Sequence, residues 1–167
     1  MTLPVGQEDK IKVIMPAAGG VVYKEEQDGR YILIIQRSAS DHWALMWEYP
    51  RGKCDKKGET IIDCVKREIK EETGLDVKVE KFIEMFTYVA DKGERFTRCY
   101  NYLCKVIDST QPVKLSKEHQ DYKWIGSVGQ AELLLHPDQK RIVSKILNPE
   151  KQIVNYVNTK ADKVLSE

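Results

Sequence analysis

Apolar residues concentrate in two runs near the start of the chain, "IKVIMPAAGGVVYK" (11–24) and "RYILIIQR" (30–37), and both predict strands. The polar "EEQDG" between them predicts a hairpin. Two further strands are predicted by "LDVKVEKFIEMFTYVAD" (75–91) and "ERFTRCYNYLCKVI" (94–107), turning at "DKGE", and a short one by "DYKWIG" (121–126). A helix is predicted from about Thr60 to Thr73, with Gly74 as its stop. "SVGQAELLLH" (127–136) and "PDQKRIVSKIL" (137–147) predict two more helices, the second with Pro137 in its first turn. The tail, 149–167, predicts a helical extension. Between the second strand and the first helix, "SASDHWALMWEYPRGKCDKKG" (38–58) reads as a long loop with two tryptophans, unusual enough in a compact domain to suggest function. Strands interleaved with few helices predict one mixed α/β or α+β sandwich, with its core over about 10–148.

The first helix carries an anomaly. Advancing about 100° per residue, Glu68, Glu71 and Glu72 share an arc of roughly 100°. Like charges at these spacings repel. Ile61, Val65 and Ile69 form an apolar stripe beside that arc, with Ile62 close by, while Asp63, Lys66 and Lys70 lie opposite. A solvated helix would mix Glu with Lys and hold its acids away from the core. Here the acids border the buried side, at the rim of a cleft. A hard divalent cation is the natural counter-charge, because Mg²⁺ takes oxygen ligands and bridges carboxylates to substrate phosphates. Spacing alone leaves two readings open, a metal site and a merely solvated acidic face.

Composition narrows the partners. Charged residues make up 32% of the 167, yet the net charge is only +1, so an anionic partner must be held by a local patch. A global field for RNA or an anionic membrane is not indicated. No stretch approaches the roughly 20 apolar residues of a membrane helix, and the N-terminal residues lack a secretory pattern, which predicts a cytoplasmic protein. Cys54, Cys64, Cys99 and Cys104 show no CxxC pair and read as reduced thiols. Cys99 and Cys104, an odd number apart in one strand, should point to opposite faces.

The acidic helix also carries a long motif. The chain has Glu59, then seven residues, then Arg67-Glu68-Ile69-Lys70-Glu71-Glu72-Thr73-Gly74-Leu75. This resembles the box of the Nudix family, G-x5-E-x7-R-E-U-x-E-E-x-G-U with U aliphatic, and every defined position from Glu59 onward matches. One departure is visible: six residues, not five, separate Gly52 from Glu59, and the extra one lies in "CDKKG". The resemblance implies a Nudix-type α/β/α sandwich around a mixed β-sheet. It implies that Glu68, Glu71 and Glu72 bind Mg²⁺, with Mn²⁺ as a substitute, and that Arg67 pins one of the carboxylates while Glu59 steadies the loop. The implied reaction is hydrolysis of a nucleoside diphosphate linked to a further group.

Two segments outside the box point to the substrate. "WEYPRGK" (47–53) resembles the W-x-x-P-K/R-G stretch of diadenosine-tetraphosphate hydrolases, and equally that of mRNA-decapping members. Arg51 and Lys53 could reach phosphates; Trp47 offers either a flat face to a base or ordinary core packing. "LSKEHQDYKWIG" (115–126) resembles the L-S-x-E-H-x-x-Y/F-x-W stretch of the same hydrolase group. That likeness implies Glu118 as a general base or additional metal ligand and Tyr122 as a nucleobase platform. The reading is an enzyme, with Glu71, Glu72, Arg67 and Glu118 as its catalytic set, acting on a small nucleotide such as diadenosine tetraphosphate. Removal of an mRNA cap, hydrolysis of a nucleoside triphosphate, and a non-catalytic nucleotide-binding module are the alternatives.

Overall fold

The computed structural model describes residues 13–90 and 93–148; the predicted tail helix lies outside the described residues. The strands are β1 (Val13–Glu26), β2 (Gly29–Arg37), β3 (Trp47–Glu48), β4 (Arg51–Lys53), β5 (Val77–Ala90), β6 (Arg95–Val106) and β7 (His119–Ile125). The helices are α1 (Ile61–Thr73), between β4 and β5, and α2 (Pro137–Leu147). All seven strands join one sheet with the path β3-β2-β1-β6-β5. β1 and β6 pair in parallel and the remaining pairs are antiparallel, so the sheet is mixed.

β1 serves two partners along one edge. Tyr23–Glu26 pair with β2, while Ala17–Gly19 pair with β4. The side chains of β2 alternate between two cores, as a strand's period of two requires. Ile32 and Ile34 pack with Ile142 and Val143 of α2, whereas Leu33 and Ile35 pack with Val65 and Ile69 of α1. Each face of the sheet thus holds one helix, which is the predicted α/β/α sandwich. Cys99 and Cys104 divide between the two cores as expected, and burial pushes their thiols up to about 11 and about 12 respectively.

α1 begins where the sequence places it. Thr60 caps it reciprocally with Asp63, and Gly74 ends it at φ 73°, a conformation that costs glycine little. The buried face is rotated from the predicted stripe: Cys64 is fully buried and Ile62 is 37% exposed. That rotation carries Glu72 inward, to 4% exposure.

Three expectations are corrected. The span 38–58 is not all loop, because it holds the short strands β3 and β4. The span 127–136 is not an α-helix but contains one 3-10 turn, Gln130–Leu133. Pro137 disfavours a helical His136, which is extended at ψ 118°, and Leu134 instead bridges to Trp47. The cysteines are not all free thiols, because Cys54 and Cys64 form a disulfide with Cα atoms 5.4 Å apart. No short motif announces that pair. It forms because β4 runs beside α1, where Arg67 Nη2 donates to the Lys53 carbonyl at 3.0 Å. The bridge closes a loop of sequence separation 10, which by chain entropy stabilises the fold by roughly 2–3 kcal/mol. Denaturant melts with and without reductant are expected to differ by that amount, and Cys54→Ser should melt like the reduced protein.

Candidate active site

Where β1 divides its edge between β2 and β4, a cleft of about 1030 Å³ opens. Its lining includes Arg51, Lys53, Arg67, Glu68, Glu71, Glu72 and Glu118, so seven of the nine predicted site residues meet in one place. Trp47 and Tyr122 are not among the lining residues. Trp47 packs against the α2-side core, with Lys123 Nζ 5.5 Å from its ring centroid. Tyr122 is 41% exposed on β7, opposite Ile35 of β2.

Arg67 organises the acidic ridge. Glu59 grips it through Nε at 2.5 Å and Nη2 at 3.1 Å. Its Nη1 donates to Glu68 at 2.7 Å and to Glu71 at 3.1 Å. These hydrogen bonds, that to Glu59 foremost, raise the Arg67 pKa. One guanidinium therefore offsets the repulsion among three acids. The extra loop residue does not remove Gly52 from this site: a Cβ there would lie 2.1 Å from the Glu68 carboxylate. Only a glycine lets β4 approach so closely.

Glu72 differs from its neighbours. Its carboxylate accepts from the Arg51 backbone N–H at 3.2 Å, and among the described residues no cationic side chain is bonded to it. Burial, reinforced by the charges of Glu48 and Glu68, raises its pKa well above the carboxylate range. Burial also raises Glu68, although Arg67 opposes the shift. A carboxylate oxygen of Glu72, one of Glu118 and a ring nitrogen of His119 lie within 4.8 Å of one another, a group able to hold a metal ion. The residues present therefore fit a divalent cation: a buried carboxylate has no cation bonded to it among the described residues, and ligand atoms converge beside it.

Opposite the acids stands a cationic wall that the sequence reading only partly anticipated. Glu48 is fully buried and pairs with Arg37 Nε at 2.9 Å and Arg51 Nε at 3.3 Å. Burial pushes its carboxyl up, but the His119 hydrogen bond and the Arg51 and Arg37 charges outweigh this and hold it below the usual range. The Arg51 guanidinium carbon sits 5.1 Å from the Tyr88 ring centroid, and its Nη1 is buried with no partner among the described residues. Trp43, 60% exposed, also lines the cleft, as do Tyr88 and His136. Of these, Trp43 had a visible signal, being one of the two tryptophans in the 38–58 loop. Arg37, Tyr88 and His136 had none, because strand pairing brings the first two to the cleft and the docking of α2 brings the third.

A family model for the NUDIX domain matches residues 13–146. The chain belongs to the Nudix hydrolase family. Among curated Nudix relatives, the asymmetrical bis(5'-nucleosyl)-tetraphosphatase of Sus scrofa is 31% identical over 117 residues, covering 68% of this chain and 76% of that protein. The m7GpppN-mRNA hydrolase of Saccharomyces cerevisiae is 39% identical over 71 residues, but these are 42% of this chain and 7% of that one. Among solved Nudix structures, a C. elegans Ap4A hydrolase in a binary complex superposes with a TM-score of 0.67 at 26% identity, covering 79% of this chain and 94% of that one.

Proposed function

We propose that this Nudix hydrolase cleaves a phosphoanhydride bond of a dinucleoside polyphosphate, with diadenosine tetraphosphate as the leading substrate, using Mg²⁺ or Mn²⁺ held by Glu68, Glu71 and Glu72. The observation that carries this reading is the buried Glu72 carboxylate, to which no cationic side chain is bonded among the described residues, set in the same cleft as Arg51, whose Nη1 has no partner among them. One pole suits a divalent cation and the other suits phosphate oxygens. The tetraphosphatase relative and the Ap4A hydrolase neighbour favour two nucleosides joined by a phosphate chain.

When bound, the metal neutralises charge developing on the phosphate oxygens and makes a coordinated water a better nucleophile. The chain's own residues supply the rest. Arg51, with Arg37 behind Glu48, binds and orients the phosphate chain, and Lys53 adds charge at the rim. Glu118, exposed beside Glu72, accepts the proton of the attacking water. Water oxygen bonds to phosphorus as the P–O bond to the leaving phosphate breaks. Asymmetric cleavage of a four-phosphate bridge then gives a nucleoside triphosphate and a nucleoside monophosphate.

A panel of dinucleoside polyphosphates, nucleoside triphosphates, nucleotide sugars and capped RNA, assayed with Mg²⁺ and with Mn²⁺, tests the assignment. Fastest turnover on the dinucleoside tetraphosphate is expected, and products made in isotopically labelled water identify the phosphorus attacked. Capped RNA is the second candidate, because "WEYPRGK" and the yeast relative both suggest it. Preferential cleavage of capped RNA would replace the first reading. A binding module without catalysis is disfavoured by the intact set of box glutamates and by Gly52 keeping its place against Glu68.

A further inference from the structure

His119 is the first residue of β7 and lies where the β2–β7 register shifts between Gln36 and Arg37. A bulge of this kind re-aims side chains near a site. The ring is 5% exposed. Its Nε2 stands 3.1 Å from Oε1 of the fully buried Glu48, and that carboxylate also faces Arg37 and Arg51. Next to two guanidiniums Glu48 is a hydrogen-bond acceptor, so Nε2 donates to it and Nδ1 is the nitrogen left for another partner. Nδ1 is buried and has no partner among the described residues. A ring nitrogen of His119 lies within 4.8 Å of carboxylate oxygens of Glu72 and Glu118, and with Nε2 held by Glu48 the nitrogen left to serve them is Nδ1.

We propose that His119 is a nitrogen ligand, through Nδ1, to a divalent cation that Glu72 and Glu118 also bind, with Glu48 holding the ring from behind. This rests on the metal-dependent reading above and extends it to a residue outside the box. A carboxylate that accepts from the far nitrogen fixes the tautomer and orientation of a metal-binding imidazole. The donor set becomes two oxygens and one nitrogen. Imidazole suits first-row transition ions such as Zn²⁺, Fe²⁺ and Ni²⁺, whereas Mg²⁺ takes oxygen ligands. This position should therefore select a transition ion even where the ridge of Glu68 and Glu71 accepts Mg²⁺.

Electron spin-echo envelope modulation on the full chain, titrated with Mn²⁺ alone to saturation, tests this directly. A modulation from directly bound nitrogen is expected, changing in frequency when the protein is made with nitrogen-15 histidine. In His119→Gln the modulation should vanish and the Mn²⁺ Kd should rise by about 10-fold or more, with a smaller change for Mg²⁺. Saturating Mn²⁺ with no nitrogen coupling in the unmodified protein would overturn the proposal, and that result does not depend on any variant folding. Hydrolysis of the dinucleoside substrate without nitrogen coupling would remove His119 from the site and leave the functional reading intact. Nitrogen coupling without hydrolysis would support the ligand while removing the substrate assignment.

Discussion

Glu72→Gln is expected to lower kcat by about 10²–10³-fold, the scale lost when a preorganised electrostatic contact to the transition state is removed, while making the metal-free protein more stable. Both effects come from one fact: Glu72 is 4% exposed, carries a carboxylate, and among the described residues has a single backbone N–H to satisfy it. Without a cation the ionised form is penalised by burial and by Glu48 and Glu68. Its folded-state pKa therefore lies above its unfolded value. For a carboxylate shifted upward, folding favours the protonated form. Stability is greatest below the unfolded pKa and declines as pH rises through the interval up to the folded pKa. At neutral pH the metal-free protein thus bears a cost that glutamine abolishes. A rise in Tm of about 2–4 °C per kcal/mol recovered is the expected size for a chain of this length. Adding Mg²⁺ or Mn²⁺ should raise the Tm of the parent protein, more so at pH 8 than at pH 5, and should raise that of Glu72→Gln much less. Thermal melts at several pH values, with chelator or with metal, measure this. A variant that keeps near-normal turnover, or that melts lower than its parent without metal, would remove Glu72 from the centre of the site.

Glu48→Leu is expected to destabilise the protein by about 3–5 kcal/mol, as when one partner of a buried charge cluster is removed. Arg37 and Arg51, with side-chain exposures of 18% and 12%, would lose the carboxylate between them, and His119 its acceptor. The pH dependence has the opposite sign to that of Glu72. Glu48 is held below the ordinary carboxylate range by His119 and the two arginines against the pull of burial. Its contribution is therefore present above the unfolded pKa and is lost as pH falls through the folded one. Urea titrations should show the parent losing stability on acidification where Glu48→Leu changes little. An exposed pair such as Lys140–Glu132, 2.9 Å apart, gives the contrast, since its removal should cost less than about 1 kcal/mol. A loss at Glu48 no larger than that would show that the arginines find solvent readily and that the cluster is not what positions them.

The two glutamates differ in how far they could be read. Glu72 stood in a motif spanning Glu59 to Leu75, and helical spacing alone placed it beside the core. Glu48 sits inside "WEYPRGK", yet no local pattern marks a carboxylate that strands β2, β4 and β7 surround with Arg37, Arg51 and His119. The disulfide was equally hidden: Cys54 and Cys64 lack a familiar spacing and meet only because β4 lies along α1. The helix expected at 127–136 failed for a local reason that was visible, namely Pro137 acting on His136, but its outcome was decided by the bridge from Leu134 to Trp47.

By itself the chain determined the five longer strands, the capped acidic helix and the family, because each depends on periodicity, caps or spacing within a few turns of backbone. Only the tertiary structure decided which carboxylate loses its water, which arginines stand opposite, and where Trp47 and Tyr122 go. Those outcomes depend on register and on the approach of segments far apart in sequence, and desolvation exists only after the segments have met.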